Sequence, residues 1–169
     1  MPYRSELNPE MSVIIASQIV AKLVATVPPS AAQNKGDLMT RILLLGLDPE
    51  TVDFSDPALP PGMTVEKVHA GIAVALKQFT DRGWRSDVGF IRPDETAGPS
   101  VERQLRGTNY DCVVIGGGVR LPPRNLALFE IVIDAIRKAA PGAPIAFNTR
   151  PDDSADAAAR WVAAGSLPS

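Results

Sequence analysis

The sequence predicts an α/β fold: a three-layer domain with a mostly parallel four-stranded sheet and helices on both faces, flavodoxin-like or Rossmann-like in arrangement. Three observations carry it. Short apolar runs without polar alternation mark strands buried on both faces, the habit of parallel sheets. Those runs alternate with stretches of helical periodicity. Between them the chain is punctuated by proline and glycine, 16 and 13 of its 169 residues.

The first strand covers 41–47 (RILLLGL) and ends at Asp48-Pro49. An irregular stretch follows over 48–62 with Pro49, Pro57, Pro60 and Pro61; loops of that length in compact domains tend to be functional or mobile. The spacing of Val65, Val68, Ile72, Leu76 and Phe79 predicts a helix over 64–82, with Thr64 as N-cap and Gly83 just past its end. Residues 84–91 (WRSDVGFI) alternate less cleanly and read as an edge strand, stopped by Arg92-Pro93. A short helix over 99–105 ends at Gly107. Residues 111–115 (DCVVI) make the strongest strand and run into Gly116-Gly117-Gly118.

A third helix is predicted over 126–140, ended by Pro141-Gly142. Leu126, Phe129, Val132, Ile133 and Ile136 give it one buried face, and Leu128 and Ile131 add apolar surface on the neighbouring sector. That surplus points to self-association, a homodimer through this helix, or to coverage by an N-terminal helix. Residues 144–147 form the last strand, Asn148-Thr149-Arg150-Pro151 the turn after it, and a final helix capped by Asp152 or Ser154 runs to 164. Right-handed crossovers then give the strand order 2-1-3-4, with a topological switch point between the first and third strands.

Residues 39–169 are read as a single α/β domain and residues 1–38 as an N-terminal extension. In the extension Ile15, Ile19, Leu23 and Val27 line one face of an amphipathic helix over about 12–27, and PPSAAQNKG is a linker by composition. A membrane span is not expected there: the run is short of about twenty residues and holds Gln18 and Lys22. A signal peptide would need a basic start, and Arg4 is balanced by Glu6 and Glu10. Met39 stands directly before the first strand and is a plausible native start; peptides from 1–38 in the natural protein would refute that.

Composition narrows the function. Apolar residues at 45% and charged residues at 21% are those of a globular chain. Seventeen basic against nineteen acidic residues leave a net charge of −2 with no basic block, so nucleic acid is not an expected partner. The single Cys112 makes no internal disulfide, which fits a reducing, cytoplasmic setting. With one histidine and one cysteine a structural zinc site is excluded, and no metal or cofactor is expected. Dinucleotide binding needs G-x-G-x-x-G after the first strand, where the chain has Gly46-Leu47-Asp48-Pro49. Walker A and the G-x-S-x-G elbow are likewise missing. A phosphoacceptor receiver would place its aspartate at the end of the third strand, where Gly116 stands. His69, on the first helix, reads as a boundary residue rather than a base.

In open parallel sheets ligands bind beyond the carboxyl ends of the strands. Arriving at that edge are Asp48, Glu50, Asp53 and Asp56, then Arg92, Asp94 and Glu95, then Gly116, Gly117, Gly118, Arg120 and Arg124, and finally Asn148, Thr149 and Arg150. Glycines after a strand can turn backbone N–H groups inward as an anion nest, with Arg120 supplying charge. The alternative is a sharp turn needing positive φ. The acidic loop could act in acid–base chemistry, with Asp48 the weak candidate for a base, or simply pair with the arginines.

Four runs carry a resemblance over Thr40 to Trp161. They are Gly46-Leu47-Asp48-Pro49; the stretch Tyr110-Asp111-Cys112-Val113-Val114-Ile115-Gly116-Gly117-Gly118-Val119-Arg120-Leu121-Pro122; Leu128-Phe129-Glu130; and Phe147-Asn148-Thr149-Arg150-Pro151 with Asp153 and Trp161. Together they resemble a family of small uncharacterised bacterial and fungal α/β proteins. The resemblance implies a core that begins near Met39, and residues 1–38 depart from its pattern. It brings no activity, substrate or catalytic residue with it.

Two expectations follow. In the first, the domain binds a small anionic metabolite at the strand-end edge through Gly116, Gly117, Gly118, Arg120, Asn148, Thr149 and Arg150. In the second, it is a non-catalytic interaction or regulatory module working through the third helix, with Leu128 and Ile131 exposed. Whether it is an enzyme stays open at this point.

Overall fold

The computed structural model describes residues 39–57 and 59–162; the readings of residues 1–38 and of the helix end at 163–164 lie outside them. Strand β1 (Arg41–Leu47) is followed by a 3-10 turn (Pro49–Thr51), helix α1 (Val65–Asp81), strand β2 (Arg85–Ile91) and helix α2 (Ala97–Gly107). Then come β3 (Cys112–Ile115), a single helical turn α3 (Gly117–Arg120), α4 (Leu126–Ala139), β4 (Ile145–Phe147) and α5 (Ser154–Val162). The four strands form one parallel sheet in the order β2-β1-β3-β4.

Residues 42–45 of β1 point alternately into two buried faces, which is why that run reads as continuously apolar. Leu43 and Leu45, with Val113 and Ile115 of β3, pack against Val101 and Leu105 of α2 and Leu128 and Val132 of α4. Ile42 and Leu44, with Cys112 and Val114, pack against Ala75 and Phe79 of α1 and Ala155 and Ala158 of α5. Helices therefore cover both faces, the placement that right-handed crossovers require for this strand order. The register sets Ile42 beside Cys112 and Leu45 beside Ile115, so the chain turns after β1 and β3 lie side by side at one edge.

Helix ends follow local chemistry. Thr64 Oγ1 accepts the Lys67 N–H at 3.3 Å, and Gly83 has φ of 74° past the end of α1. Helix α2 begins at Ala97, two residues before the predicted start at 99. Pro99 is tolerated inside it because first-turn N–H groups have no intrahelical partner. The turn before it is organised by Asp94, whose Oδ1 accepts the Thr96 N–H at 2.9 Å and the Thr96 hydroxyl at 2.5 Å. The final helix is entered through a 3-10 turn (Pro151–Asp153), whose last residue, Asp153, reaches back to accept the Thr149 and Arg150 N–H groups.

The third predicted helix, α4, has its faces corrected. Leu128 is in the core at 9% exposure, whereas Leu126 is 61% exposed. Leu128, Val132, Ala135 and Ile136 face the sheet; Phe129 and Ile133 lie half-buried at the margin of that face. The periodicity was compatible with two adjacent sectors, and the sheet selected the one containing Leu128. Ile131, 46% exposed, lies over Gly98 of α2, where an added methyl would come within 3.2 Å of its Cγ2.

Candidate functional site

Beside the switch point, the β3–α3 and β4–α5 turns are held together by Asn148. Its side chain is buried, at 2% exposure. Asn148 Oδ1 accepts the Gly117 N–H at 2.8 Å, and its Nδ2 donates to Ser154 Oγ at 2.7 Å. The Ser154 hydroxyl in turn donates to the Pro151 carbonyl at 2.6 Å. Both ends of the amide are thus committed to the fold, and Asn148 is a clasp rather than a free ligand donor. Its backbone carbonyl accepts from Arg120 Nη2 at 2.9 Å.

Gly116, Gly117 and Gly118 do not form a nest. Gly116 has φ −64° and ψ 145°, and residues 117–120 are helical. Among the described residues only Gly62 and Gly83 have positive φ, so neither the nest nor the positive-φ turn expected here is present. Close approach explains the first two glycines. A Cβ on Gly116 would lie 3.0 Å from the Leu45 carbonyl oxygen, and one on Gly117 would lie 2.7 Å from that of Thr149. Gly118 is exposed and has no such crowding. Its carbonyl accepts from the buried Asn125 Nδ2 at 2.8 Å, which draws the start of α4 onto the glycine turn.

Arg120 is the distinctive group of this edge. Its guanidinium lies over the Phe147 ring, 5.4 Å from the centroid, while Nη2 is tied to Asn148. Its Nε is buried without a hydrogen-bond partner. Among the described residues it enters no ion pair, unlike Arg92, Arg124 and Arg150. Arg150 is 73% exposed at the side chain, and its Nε donates to Asp152 Oδ1 at 3.1 Å. Thr149 is turned onto Asp153, whose carboxylate accepts the Thr149 N–H at 3.0 Å and hydroxyl at 2.5 Å, and the Arg150 N–H at 3.2 Å. Partial burial pushes the Asp153 carboxyl up, but the Thr149 hydroxyl and these two N–H groups outweigh it and hold the group below the usual carboxylate range.

The acidic loop forms a second cluster. Asp48 Oδ1 accepts the Glu50 N–H at 3.1 Å, capping the 3-10 turn, and Oδ2 lies 3.6 Å from Arg92 Nη1. Glu50 Oε1 is 3.9 Å from His69 Nε2, whose ring meets Phe90 edge-on at 6.5 Å. His69 Nδ1 is buried without a partner. Asp56 pairs with Arg124, and the Asp53 carboxylate is held by the Ser55 hydroxyl at 2.6 Å. Asp48 is thus a cap and an ion-pair member; no substrate-facing geometry marks it as a base. Glu95 is exposed, and Cys112 is buried, its thiol pushed by desolvation to about 11. Among the described residues no cluster of His, Cys, Asp or Glu is placed to hold a metal ion, and no helix is long and apolar enough to cross a membrane.

Of the predicted site residues, the structure brings Gly117, Arg120 and Asn148 into one network, with Gly118 joined through Asn125. It turns Thr149 and Arg150 onto Asp153 and Asp152. Sequence reasoning missed Asn125, Phe147 and Ser154 as parts of this edge, and read Asp153 only as part of the resemblance. Asn125 was legible as a polar residue before a helix and Ser154 as a residue at a helix start, whereas Phe147 carries no local signal, because its partners Arg120 and Phe129 are distant in the chain. The sequence matches no family model, no curated protein and no solved structure.

Proposed function

We propose that the domain binds a small anionic molecule, a carboxylate or a phosphate, at the carboxyl edge of the sheet, with Arg120 as its charge partner. The observation that carries this reading is Arg120 itself: a half-buried guanidinium without a carboxylate partner among the described residues, held in place by a backbone carbonyl and an aromatic face. A cation fixed before the ligand arrives loses little side-chain freedom on binding. Because Nε is buried, the ligand meets the guanidinium end-on, through its terminal nitrogens. Thr149 and Arg150, at the exposed rim, would make secondary contacts once released from their carboxylates.

The test is a thermal-shift series with inorganic phosphate, succinate and citrate, ionic strength held constant with potassium chloride. A probe at about 100 times its dissociation constant stabilises by about 2.7 kcal/mol, on the order of 8 °C for a domain of this size. Arg120→Gln abolishes the shift and Arg150→Gln only reduces it. If no probe shifts the wild type, or Arg120→Gln responds as the wild type does, the reading is wrong.

A second reading, a non-catalytic interaction module acting through α4, is favoured by the exposed apolar side chains of Leu126 and Ile131.

A further inference from the structure

We propose that the outer face of α4 is a two-fold interface between two copies of this chain. At about 100° per residue, Leu126, Phe129, Ile133 and Arg137 form a stripe roughly 120° round the helix from the face that meets the sheet. Phe129 and Ile133 pack their inner edges on the core. With Glu130, Asp134 and Arg137 they also line an open groove of about 410 Å³. Leu126 continues the stripe towards the start of the helix at 61% exposure. Phe147, 5.9 Å from Phe129 and 37% exposed, carries the apolar surface on to the outer edge of β4.

The charges identify the occupant. Asp134 is taken up by Lys138, whose Nζ is 2.5 Å from Oδ2. Glu130 and Arg137 are both exposed, and neither enters an ion pair among the described residues. Their seven-residue separation is about 10.5 Å of helical rise, beyond the three- and four-residue spacings that pair within a helix. Glu130 and Arg137 thus bracket Ile133, one acidic and one basic, while Phe129 and Leu126 carry apolar surface on towards the start of the helix. An antiparallel copy crossing with its axis between Ile133 and Asp134 sets Glu130 of each copy against Arg137 of the other. Each charge then has one partner, in two symmetry-related pairs, and Ile133 lies beside its own counterpart near the axis, flanked by Asp134 with its charge already taken up by Lys138; this is the self-complementary arrangement an isologous contact requires. A partner of a single charge sign would leave one end of the stripe opposed.

Sedimentation velocity on the full chain, from about 1 to 200 µM, tests this, micromolar affinity being ordinary for a modest interface. The expected result is a concentration-dependent dimer. Glu130→Arg alone and Arg137→Glu alone each weaken association about tenfold or more, since each places like charges together at two points. Mixing the two variants in equal amounts restores a heterodimer, and combining both changes in one chain restores the homodimer. A chain that stays monomeric throughout overturns the proposal, as does a dimer indifferent to either reversal. Weakening that neither the mixture nor the double variant rescues also overturns it, because loss of fold would not be repaired by a second exposed reversal.

Discussion

Asn148 and Gly117 decide whether two distant turns can meet. The Asn148 amide satisfies one backbone N–H and one hydroxyl at 2% exposure. Truncation to alanine strands the buried Gly117 N–H without its acceptor, so Asn148→Ala is expected to cost about 2–4 kcal/mol in urea unfolding. Gly117→Ala costs about 1–3 kcal/mol, because its methyl would press on a backbone carbonyl that cannot swing away. Gly118→Ala, one residue on, changes stability by less than about 0.5 kcal/mol; equal losses at the two positions would refute the close-approach account. Tyr110 gives a pH signature at the opposite end of the sheet. Burial, and then the Asp87 carboxylate that accepts its hydroxyl at 2.9 Å, push its phenol up to about 12. Its folded value thus lies above the ordinary one near 10, and the unfolded state sheds the proton first. The associated stability is complete below about pH 10 and is lost as pH rises towards 12. Comparing wild type with Tyr110→Phe by unfolding between these limits checks the sign, since the variant lacks that slope.

At the scale of elements, the turn into α5 is ordered by one carboxylate. Asp153 gathers three donors from Thr149 and Arg150. Asp153→Ala is expected to cost about 1–2 kcal/mol, the range of a lost helix cap. Because the folded carboxyl is held below its usual 3.8, this stability is present above that value and disappears as pH falls through the lower folded one. Acid unfolding followed by circular dichroism should therefore begin at higher pH in Asp153→Asn than in wild type. The same scale explains what was legible. The run 41–47 is β1 to the residue, and Thr64 and Gly83 bound α1, because strand burial and helix capping are written in neighbouring residues. The start of α2 was misplaced because Asp94 orders its turn from outside the helix. The inner face of α4 was misread because two apolar sectors competed and only the sheet could choose between them.

For the whole molecule, the order β2-β1-β3-β4 leaves β1 and β3 hydrogen-bonded on both sides and puts β2 and β4 at the margins. Amide hydrogen exchange is expected to be slowest over residues 42–45 and 112–115, and faster over 145–147, whose strand is short and pairs on one side only. Uniform protection across the four strands would contradict that ordering. Arg120 follows β3, a strand paired on both sides, and is tied to the turn after β4.

The sequence by itself determined the α/β class, the four strands and their order, since burial on both faces and right-handed crossovers are consequences of local pattern. It also brought together, by strand ends alone, the residues of one edge. Only the tertiary structure decided which of them are free. Asn148 is consumed by Gly117 and Ser154, Arg150 by Asp152 and Asp48 by Glu50 and Arg92, whereas Arg120 keeps its charge without a carboxylate among the described residues. Whether a polar group is spent or available depends on partners both near, as Asp152 is to Arg150, and far, as Gly117 is to Asn148 and Arg92 to Asp48; the far ones are set by packing, and a local pattern does not say which near pairs form.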